Sequence, residues 1–486
     1  MTFRRTKIVA TLGPASSSPE VLEQLILAGL DVARLNFSHG TPDDHKARAA
    51  LVRELAAKHG RHVALLGDLQ GPKIRIAKFE NKRIELKDGD LFRLSSSHSR
   101  TAGTQEVVGI DYPALIQDCD VGDELLLDDG RVVMRVELKG ADELHCRVLI
   151  GGPLSDNKGI NRRGGGLTAP ALTEKDKADI KVAAEMDLDY LAVSFPRDAA
   201  DMDYARRLLT EAGGTAWLVA KIERAEAVAD DEALDGLIRA SDAVMVARGD
   251  LAVEIGDAEL VGIQKKIIAH ARRLNKAVIT ATQMMESMIH SPMPTRAEVS
   301  DVANAALDYT DAVMLSAESA AGEYPVEAVQ AMARVCLGAE KHPTSKQSSH
   351  RLGRTFERCD ESIALATMYT ANHFPGVKAI ISLTESGYSP LIMSRIRSSI
   401  PIFAFTPHRE AQARVALFRG VYTVPFDPAS LPANKVSQAA VDELLKRGVV
   451  EPGDWVILTK GDSYHGTGGT NTCLLYTSPS PRDGLL

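Results

Sequence analysis

The sequence predicts a (β/α)8 barrel that carries an inserted β domain and is followed by a small open α/β domain. Three observations predict this fold. Eight nearly continuous apolar segments alternate with amphipathic ones, polar residues gather where the apolar segments end, and a stretch of different texture interrupts the alternation after the third segment. Parallel strands that are buried on both faces have such continuous apolar runs. A doubly wound sheet would also alternate, but the count of eight and the polar strand ends favour the barrel.

The barrel strands are predicted first. They are residues 7–13, 32–39, 62–69, 190–195, 217–223, 243–249, 277–284 and 312–319. Amphipathic segments such as residues 19–28 and 258–274 lie between them and predict the connecting helices. We therefore expect the barrel domain in two parts, residues 1–71 and residues 168–341.

Residues 72–167 are the predicted insertion, a small β-barrel. Short alternating segments are separated there by turn signals such as Asp88-Gly89 and Asp129-Gly130, which is typical of an all-β domain. The sequence Arg-Arg-Gly-Gly-Gly at residues 162–166 predicts a flexible return to the barrel. Because the insertion follows the carboxyl end of a barrel strand, we expect it to act as a lid over that face.

Residues 342–472 are the predicted C-terminal α/β domain. After a polar linker, strands are expected at residues 377–383, 401–405, 421–424 and 455–459. From Cys473 onward the chain is rich in Ser and Pro and has no periodicity. We interpret residues 473–486 as a non-native tail and expect the domain to lack a final strand.

Composition narrows the function classes. The chain has 486 residues, enough for about two to four domains. Its 57 Lys and Arg against 65 Asp and Glu give a net charge of −8, which argues against a nucleic-acid binder. No long apolar run predicts a membrane span or a signal peptide. Five scattered cysteines without a CxxC motif favour reduced thiols and a cytoplasmic protein.

Polar residues follow most of the predicted barrel strands. Active sites of this architecture lie at the carboxyl ends of the strands, so these residues are the catalytic candidates. They are Arg34, Asn36, Ser38, His39, Asp68, Ser194, Lys221, Glu223, Arg248, Gly249, Asp250, Thr282, Gln283, Ser316 and Glu318.

Glu223 and Asp250 follow adjacent strands, so both carboxylates can bind one hard cation such as Mg²⁺. The alternative is a structural pair that bonds the backbone or Arg248. Lys221 points to the same side of its strand as Glu223 and is interpreted as a cation that faces an anionic substrate. A lysine that only neutralises Glu223, or one that forms a Schiff base, are the other hypotheses.

Arg34 and Arg75 can clamp phosphates, although either can instead form a surface ion pair. Thr282 and Ser316 can relay a proton or simply fill a polar layer of the barrel. His39 is more often structural than an acid or base. These residues alone indicate a metal-dependent enzyme that acts on a phosphorylated or carboxylated small molecule.

Longer motifs resemble those of the pyruvate kinase family. They are KIVATLGPAS (residues 7–16), ARLNFSHG (33–40), GDLQGPKIR (67–75), AKIER (220–224), MVARGDL (245–251), TATQMMESM (280–288), PTRAEVSDVANA (294–305) and DAVMLSAES (311–319). They occur in the family's order, and the resemblance spans residues 6–472. The three-part layout is also similar to the family's barrel, lid and C-terminal domains.

The resemblance implies the conversion of phosphoenolpyruvate and ADP to pyruvate and ATP at the end of glycolysis. It implies Mg²⁺ or Mn²⁺ at Glu223 and Asp250, and Lys221 beside the phosphoryl group and the enolate. Thr282 and Ser316 would take part in protonating the enolate. The implied substrate-binding residues are Arg34, Ser194, Lys221, Gly249, Asp250 and Thr282, and the implied nucleotide-binding residues are Thr11, Pro14, Arg34, His39, Arg75 and Lys175.

The family's K⁺ site matches Asn36, Ser38, Asp68 and the Leu69 carbonyl. Members that need K⁺ carry Glu where this chain has Lys73, and residues 69, 70 and 76 also resemble the K⁺-independent branch. A lysine ammonium can supply the charge of the ion in place. We therefore expect that K⁺ is not required.

Other features of the resemblance concern Ala252 and the C-terminal domain. The family usually has Gly at position 252, which puts the backbone of the metal and phosphate site in question because Ala adopts positive φ less readily. A phosphorylated effector, such as a sugar monophosphate or AMP, is expected at a Gly-rich site, although an ordinary turn is the alternative. The effector residues are Ser382, Thr384, Ser386, Gly466 and Thr467. The family is typically a homotetramer.

Two other classes stay open at this point. A barrel lyase or aldolase with a metal enolate would share Glu223 and Asp250 but would not need the lid or the nucleotide residues. A catalytically inactive barrel that binds effectors is the third class. The three classes differ in the reaction that they catalyse. The kinase transfers a phosphoryl group to a nucleotide, the lyase or aldolase carries out enolate chemistry without a nucleotide, and the inactive barrel does neither.

Overall fold

The first part of the barrel contains three parallel strands and two helices. A computed structural model of the chain describes residues 3–346, 351–461 and 469–477. The elements are β1 (Lys7–Leu12), α1 (Pro19–Ala28), β2 (Val32–Asn36), α2 (Pro42–Lys58) and β3 (Ala64–Asp68). The Ser18 and Thr41 side chains cap the two helices by accepting backbone N–H bonds, and a proline follows each cap.

The insertion is all-β, as predicted, apart from one helical turn. Its elements are β4 (Arg83–Leu86), β5 (Leu91–Ser95), β6 (Val107–Gly109), α3 (Leu115–Asp118), β7 (Glu124–Leu127), β8 (Val132–Lys139), β9 (Glu143–Ile150), β10 (Gly152–Ser155) and β11 (Ile160–Arg162). Six strands form a half-barrel sheet in the order β11-β7-β8-β9-β5-β6, and β10 pairs with β4. This domain has its own apolar core, separate from that of the barrel.

The second part of the barrel supplies the remaining five strands. Its elements are α4 (Glu174–Glu185), β12 (Tyr190–Val193), α5 (Ala199–Glu211), β13 (Trp217–Ile222), α6 (Asp231–Ala240), β14 (Ala243–Ala247), α7 (Arg248–Ile255), α8 (Asp257–Arg273), β15 (Ala277–Ala281), α9 (Arg296–Leu307), β16 (Ala312–Leu315), α10 (Ala317–Ala320) and α11 (Pro325–Ala339). The strands close in the order β1-β16-β15-β14-β13-β12-β3-β2, with parallel pairing throughout. The barrel is thereby confirmed and the doubly wound sheet excluded.

Several predicted barrel strands are too long at their carboxyl ends. The segment predicted at 312–319 stops at Leu315, and the one at 277–284 stops at Ala281. The residues that follow leave the ladder because their backbone groups bond side chains instead, as when Ser316 N donates to the Glu318 carboxylate (2.7 Å). Thr282, Gln283 and Ser316 therefore lie just beyond the barrel wall, after the ends of these two strands.

The C-terminal domain is a five-stranded sheet with helices on it. Its elements are α12 (Cys359–His373), β17 (Val377–Leu383), α13 (Tyr388–Ser394), β18 (Ile402–Thr406), α14 (Arg409–Arg414), β19 (Val421–Pro425), α15 (Val436–Lys446), β20 (Trp455–Gly461) and β21 (Thr470–Thr477). The order is β19-β18-β17-β20-β21, and only the β20–β21 pair is antiparallel.

The expectation that this domain lacks a final strand is wrong. β21 continues through Cys473 to Thr477 and pairs along β20, with Thr459 opposite Cys473 and Trp455 opposite Thr477. Tyr476 packs on the core of the domain. The apolar Leu-Leu-Tyr-Thr stretch has strand composition, which the Ser- and Pro-rich residues after it obscured. The domain limits, and the non-native origin of the tail, stay predictions; residues 478–486 lie outside the described residues.

A buried ion pair fixes the C-terminal domain to the amino-terminal end of the barrel. Arg395, just after α13, and Asp311, just before β16, are both fully buried, and Arg395 Nη1 lies 2.8 Å from Asp311 Oδ2. The same carboxylate accepts the backbone N–H groups of Val278 and Arg419, at 2.9 Å each. The pair therefore joins two barrel strands to the third domain.

Within the described part of the chain, no helix is both long and apolar enough to cross a membrane.

Replacement of Arg395 by Leu leaves the Asp311 carboxylate buried without its cation. We expect a loss of about 3–5 kcal/mol in the free energy of unfolding, measured by urea unfolding and tryptophan fluorescence. The control is Arg83→Leu, because Arg83 forms an exposed pair with Glu85 (3.6 Å) and is expected to change stability by less than about 1 kcal/mol. Equal stability of the two variants would contradict the role of the buried pair.

Candidate active site

Lys221 is the centre of the polar cluster at the carboxyl end of the barrel. Its ammonium lies 2.9 Å from Glu223 Oε1 and 3.4 Å from Asp68 Oδ1, and it donates to Ser194 Oγ (2.7 Å). Ser194 in turn donates to the Leu69 carbonyl (2.7 Å). Three adjacent strands, β3, β12 and β13, therefore bring together residues that are far apart in sequence.

The charges of this cluster depend on one another. Burial alone would lower the pKa of Lys221, but the carboxylates of Asp68 and Glu223 outweigh it and raise the pKa above the usual lysine range. Burial works against ionisation of Asp68, yet Lys221 and Arg34 hold its pKa below the usual value. Burial, with Asp250 adding to it, raises the pKa of Glu223 to about 7. The surrounding carboxylates therefore favour the charged form of Lys221.

Glu223 and Asp250 are the two carboxylates that fit a divalent cation. Glu223 is 1% exposed, and Asp250 lies in the first turn of α7, where the Lys73 ammonium approaches it (3.4 Å). No group of three or more metal-binding side chains occurs within the described ranges. Two oxygen donors that repel each other suit Mg²⁺, because this ion keeps water and substrate oxygens as its other ligands. The alternative in which Arg248 holds these carboxylates is not observed, since its ion pair goes to Asp301.

Arg34 is built into the barrel wall. Its Nε donates to Asp68 Oδ2 (2.7 Å) and its Nη1 to Thr11 Oγ1 (2.8 Å). Arg75 lies at the base of the lid instead. Its backbone N–H donates to Asp111 Oδ1 (2.8 Å), and its backbone forms an isolated antiparallel β-bridge with Gly159. The two arginines of the predicted phosphate clamp thus belong to different domains.

Three non-glycine residues of the site have left-handed backbone: Phe195 (φ 55°), Thr282 (φ 67°) and Gln283 (φ 53°). Such residues are strained by about 1–3 kcal/mol each, so the surroundings must hold them. Phe195 N donates to Glu223 Oε2 (2.7 Å), and Gly249 N donates to Thr282 Oγ1 (2.8 Å). Thr282 Oγ1 itself donates to the Ala281 carbonyl (2.7 Å).

Ser316 lies on the loop next to that of Thr282. The buried carboxylate of Glu318 accepts both Ser316 N (2.7 Å) and Met285 N (3.2 Å), so it connects the loops that follow β16 and β15. Burial raises the pKa of Glu318. The predicted pair Thr282 and Ser316 is thereby held on two adjoining loops.

The remaining nucleotide candidates lie on the loops after β1 and β2 and on the first turn of α4. Pro14 begins a short 3-10 helix after β1, and the His39 carbonyl contacts His45 Nε2 (2.9 Å) in the loop after β2. Lys175 donates to the Phe37 carbonyl (2.6 Å) of that same loop. Lys175 therefore contacts the loop that carries His39.

The monovalent-cation candidates and Lys73 have different polar partners. Asn36 Oδ1 accepts Ser38 N (3.1 Å), while the Asp68 carboxylate is paired with Arg34 and Lys221. Among the described residues, the Lys73 ammonium pairs with Asp250 (3.4 Å) and with Asp129 of the lid (4.0 Å). The lysine charge thus lies beside the metal candidate Asp250.

The effector candidates are only partly described. Ser382 is buried in β17, whereas Thr384 and Ser386 accept the backbone N–H groups of Gly387 (3.0 Å) and Tyr388 (3.4 Å) in the turn before α13. Gly466 and Thr467 lie outside the described residues.

Ala252 lies within α7 and does not have positive φ. Its helical backbone conformation is one that Ala adopts without strain.

The contacts of Glu254 with the residues that lead from the lid back to the barrel were missed in the sequence analysis. Residues 164–166 are three glycines with φ of 80°, 76° and 89°, and Gly164 N donates to the Glu254 carbonyl (2.9 Å). The Glu254 side chain accepts Ala225 N (2.8 Å) and lies 3.4 Å from Asn161 Nδ2 of the lid. Burial raises its pKa to about 7. The sequence did contain a signal for Glu254, because it is an acidic residue four positions after Asp250 in the same helix.

Comparisons with known proteins agree with this architecture. The family model described as pyruvate kinase, barrel domain, matches residues 3–329, and that described as pyruvate kinase, alpha/beta domain, matches residues 361–476. The chain is 58% identical to "Pyruvate kinase II" of Salmonella typhimurium over 476 residues, which covers 98% of this chain and 99% of that protein. It is 56% identical to the pyruvate kinase of Haemophilus influenzae over 471 residues, which covers 97% and 98% of the two chains.

The chain therefore belongs to the pyruvate kinase family, as the sequence motifs implied. It is a phosphotransferase that converts phosphoenolpyruvate and ADP to pyruvate and ATP in glycolysis. Membership of this family excludes the lyase or aldolase alternative, and the pyruvate kinase activity excludes the inactive barrel.

Replacement of Ala252 by Gly is expected to lower the stability of α7, because Gly is about 1 kcal/mol less favourable than Ala in a helix interior. The melting temperature should fall while the rate of ATP formation changes little. Gly262→Ala is the reciprocal control, since Gly262 lies in α8 and an added Cβ meets nothing within 4 Å. A melting temperature that rises in Ala252→Gly would contradict this account.

Proposed function

We propose that the cleft around Lys221 carries out the phosphoryl transfer and the enolate protonation. The observation that supports this most directly is the Lys221 ammonium, held between Asp68 and Glu223 at the mouth of the barrel. A buried cation of this kind stabilises negative charge that develops in the transition state, without any rearrangement. Lys221 would stabilise the phosphoryl group in transfer and the enolate that it leaves behind.

Glu223 and Asp250 would hold Mg²⁺ or Mn²⁺ together with substrate oxygens. When bound, the ion would supply neutralisation of the phosphoryl and carboxylate charges. Gly249 and Asp250 lie in the first turn of α7, and the positive dipole end of this helix favours the substrate carboxylate.

Arg34 would contact the phosphoryl group, with its guanidinium oriented by Asp68 and Thr11. Ser194, which is fixed between Lys221 and the Leu69 carbonyl, would line the same end of the cleft. This arrangement orients the donor and requires no covalent nucleophile, as phosphoryl transfer permits.

Thr282 and Ser316 would act at the opposite end of the substrate. Thr282 would contact the carboxylate, and its hydroxyl, with that of Ser316 and solvent, would deliver the proton that the enolate takes up at carbon 3. The nucleotide would lie at the side of the barrel mouth, against Thr11, Pro14, Arg34, His39, Arg75 and Lys175.

The K⁺-independent branch is the second part of the proposal. The Lys73 ammonium beside Asp250 supplies a fixed positive charge, which supports activity without K⁺ at the Asn36, Ser38, Asp68 and Leu69 set. A cytoplasmic homotetramer is also proposed. Its effector would be a phosphorylated small molecule at Ser382, Thr384, Ser386, Gly466 and Thr467.

Replacement of Lys221 by Met is expected to lower kcat for ATP formation by at least about 10³-fold, because the transition-state charge loses its cation. The KM for phosphoenolpyruvate should change much less. The measurement is ATP formation from phosphoenolpyruvate and ADP with Mg²⁺, and an excess of EDTA should abolish it. Lys87→Met, at an exposed lid position, is the control. A Lys221→Met enzyme that retains its kcat would overturn the proposed role.

The same assay in Na⁺ buffer, before and after addition of K⁺, tests the second part. The unmodified enzyme should be active in Na⁺ buffer and gain little from K⁺. Lys73→Met should lose activity in Na⁺ buffer, because Asp250 then lacks its neighbouring cation. An unmodified enzyme that works only with K⁺ would refute the proposal for Lys73 and leave the reaction itself untouched.

A further inference from the structure

We infer that Arg248 is a positioning residue for the protonation step, because its guanidinium fixes the backbone that carries Thr282. Arg248 is the first residue of α7 and is only 6% exposed. The inference rests on the role proposed above for Thr282.

Most of the hydrogen bonds of this guanidinium go to one short loop. Its Nε donates to the carbonyls of Ala281 and Thr282, at 3.2 Å each. Its Nη2 donates to the carbonyls of Thr282 (2.7 Å) and Gln283 (3.2 Å) and lies 3.0 Å from the sulfur of Met284. Three consecutive carbonyls therefore converge on one cation.

The convergence follows from the left-handed backbone of Thr282 and Gln283. This conformation turns their carbonyls toward the same point, where their dipoles repel one another unless a donor lies between them. A planar guanidinium with five N–H groups can satisfy several carbonyls at once, whereas a lysine ammonium cannot match that geometry. Arg248 thus compensates the strain of the loop.

The side chain and the next backbone amide act on the same residue. Gly249 N donates to Thr282 Oγ1 (2.8 Å), while the Arg248 guanidinium holds the Thr282 carbonyl. The start of α7 therefore fixes both the backbone and the hydroxyl of Thr282. Since α7 also carries Asp250, the proton-transfer hydroxyl and the metal candidate share one rigid support.

The remaining donors orient Arg248 itself. Its Nη1 lies 2.8 Å from Asp301 Oδ1 on α9 and 3.4 Å from Gln264 Oε1 on α8. These contacts position the plane of the guanidinium and balance its charge. An arginine with only a structural role would stabilise the fold in the same way, so the test must measure the proton step.

The test compares Arg248→Lys, Thr282→Ala and the double variant in the full-length enzyme. Two rates are measured with Mg²⁺ present: ATP formation, and exchange of pyruvate methyl protons with D2O in the presence of ATP, followed by NMR. In the forward direction, the enolate takes a proton at carbon 3 to become the pyruvate methyl group. In the exchange, a methyl C–H bond breaks, its proton goes to solvent, and the resulting enolate takes a deuteron from D2O to form a C–D bond.

We expect Arg248→Lys to slow methyl exchange by about 10–100-fold, as misplacement of a catalytic group by about 1 Å does. The KM for phosphoenolpyruvate should change by less than about threefold. In the Thr282→Ala background, the same substitution should change the exchange rate by less than about twofold, because Arg248 then has no hydroxyl to position. Asp301→Asn, which keeps the guanidinium, should show a smaller slowing that the Thr282→Ala background also removes.

Arg272→Lys is the matched control, since Arg272 is a buried arginine that donates to the Arg395 carbonyl at the other end of the barrel (2.8 Å). It should leave methyl exchange unchanged. Two results would overturn the inference and leave the role of Thr282 intact. In the first, Arg248→Lys does not slow methyl exchange; in the second, it slows exchange equally in the Thr282→Ala background. Thr282→Ala with normal exchange overturns both. If Arg248→Lys does not fold, the same comparison with Asp301→Asn decides.

Discussion

The burial of one ammonium group is the constraint on which the catalytic face depends. Asp68 and Glu223 favour the charged form of Lys221 inside the barrel, and Lys221 and Arg34 in turn favour the ionised form of Asp68. Arg34, Asp68 and Lys221 lie in β2, β3 and β13, and Glu223 directly follows β13, so closure of the barrel assembles the four side chains. Stability and reactivity therefore share the same set of charges.

The fold followed from sequence because apolar runs reflect burial on both faces of each parallel strand, as in Val244–Val246 of β14. The carboxyl ends of the strands were less predictable. They depend on side chains such as Glu318, which accepts Ser316 N in place of a strand partner. The same carboxylate also accepts Met285 N, from a different part of the chain. Propensity carries no information about such distant partners.

The candidate site was predictable in composition but not in conformation. Residue type and strand position identified Lys221, Glu223 and Asp250, whereas the left-handed backbone of Phe195 and Thr282 left no trace in the sequence, since neither residue favours it. Glu254 was missed for a related reason: its partners Ala225 and Asn161 belong to another loop and another domain. The final strand was missed because an apolar stretch adjoined a Ser- and Pro-rich one.

The position of the lid within the chain has a consequence for folding. Its apolar core is formed by residues between Ile74 and Ala169, and that whole interval separates β3 from β12, which pair through Leu66 and Tyr190. During synthesis, the whole lid sequence therefore emerges before β12 and the later strands that close the barrel. Until those strands follow, β3 lacks its partner β12. The barrel pairs strands that are far apart in sequence whereas the strands of the inserted domain pair with near neighbours, so the inserted domain is expected to reach its native structure first.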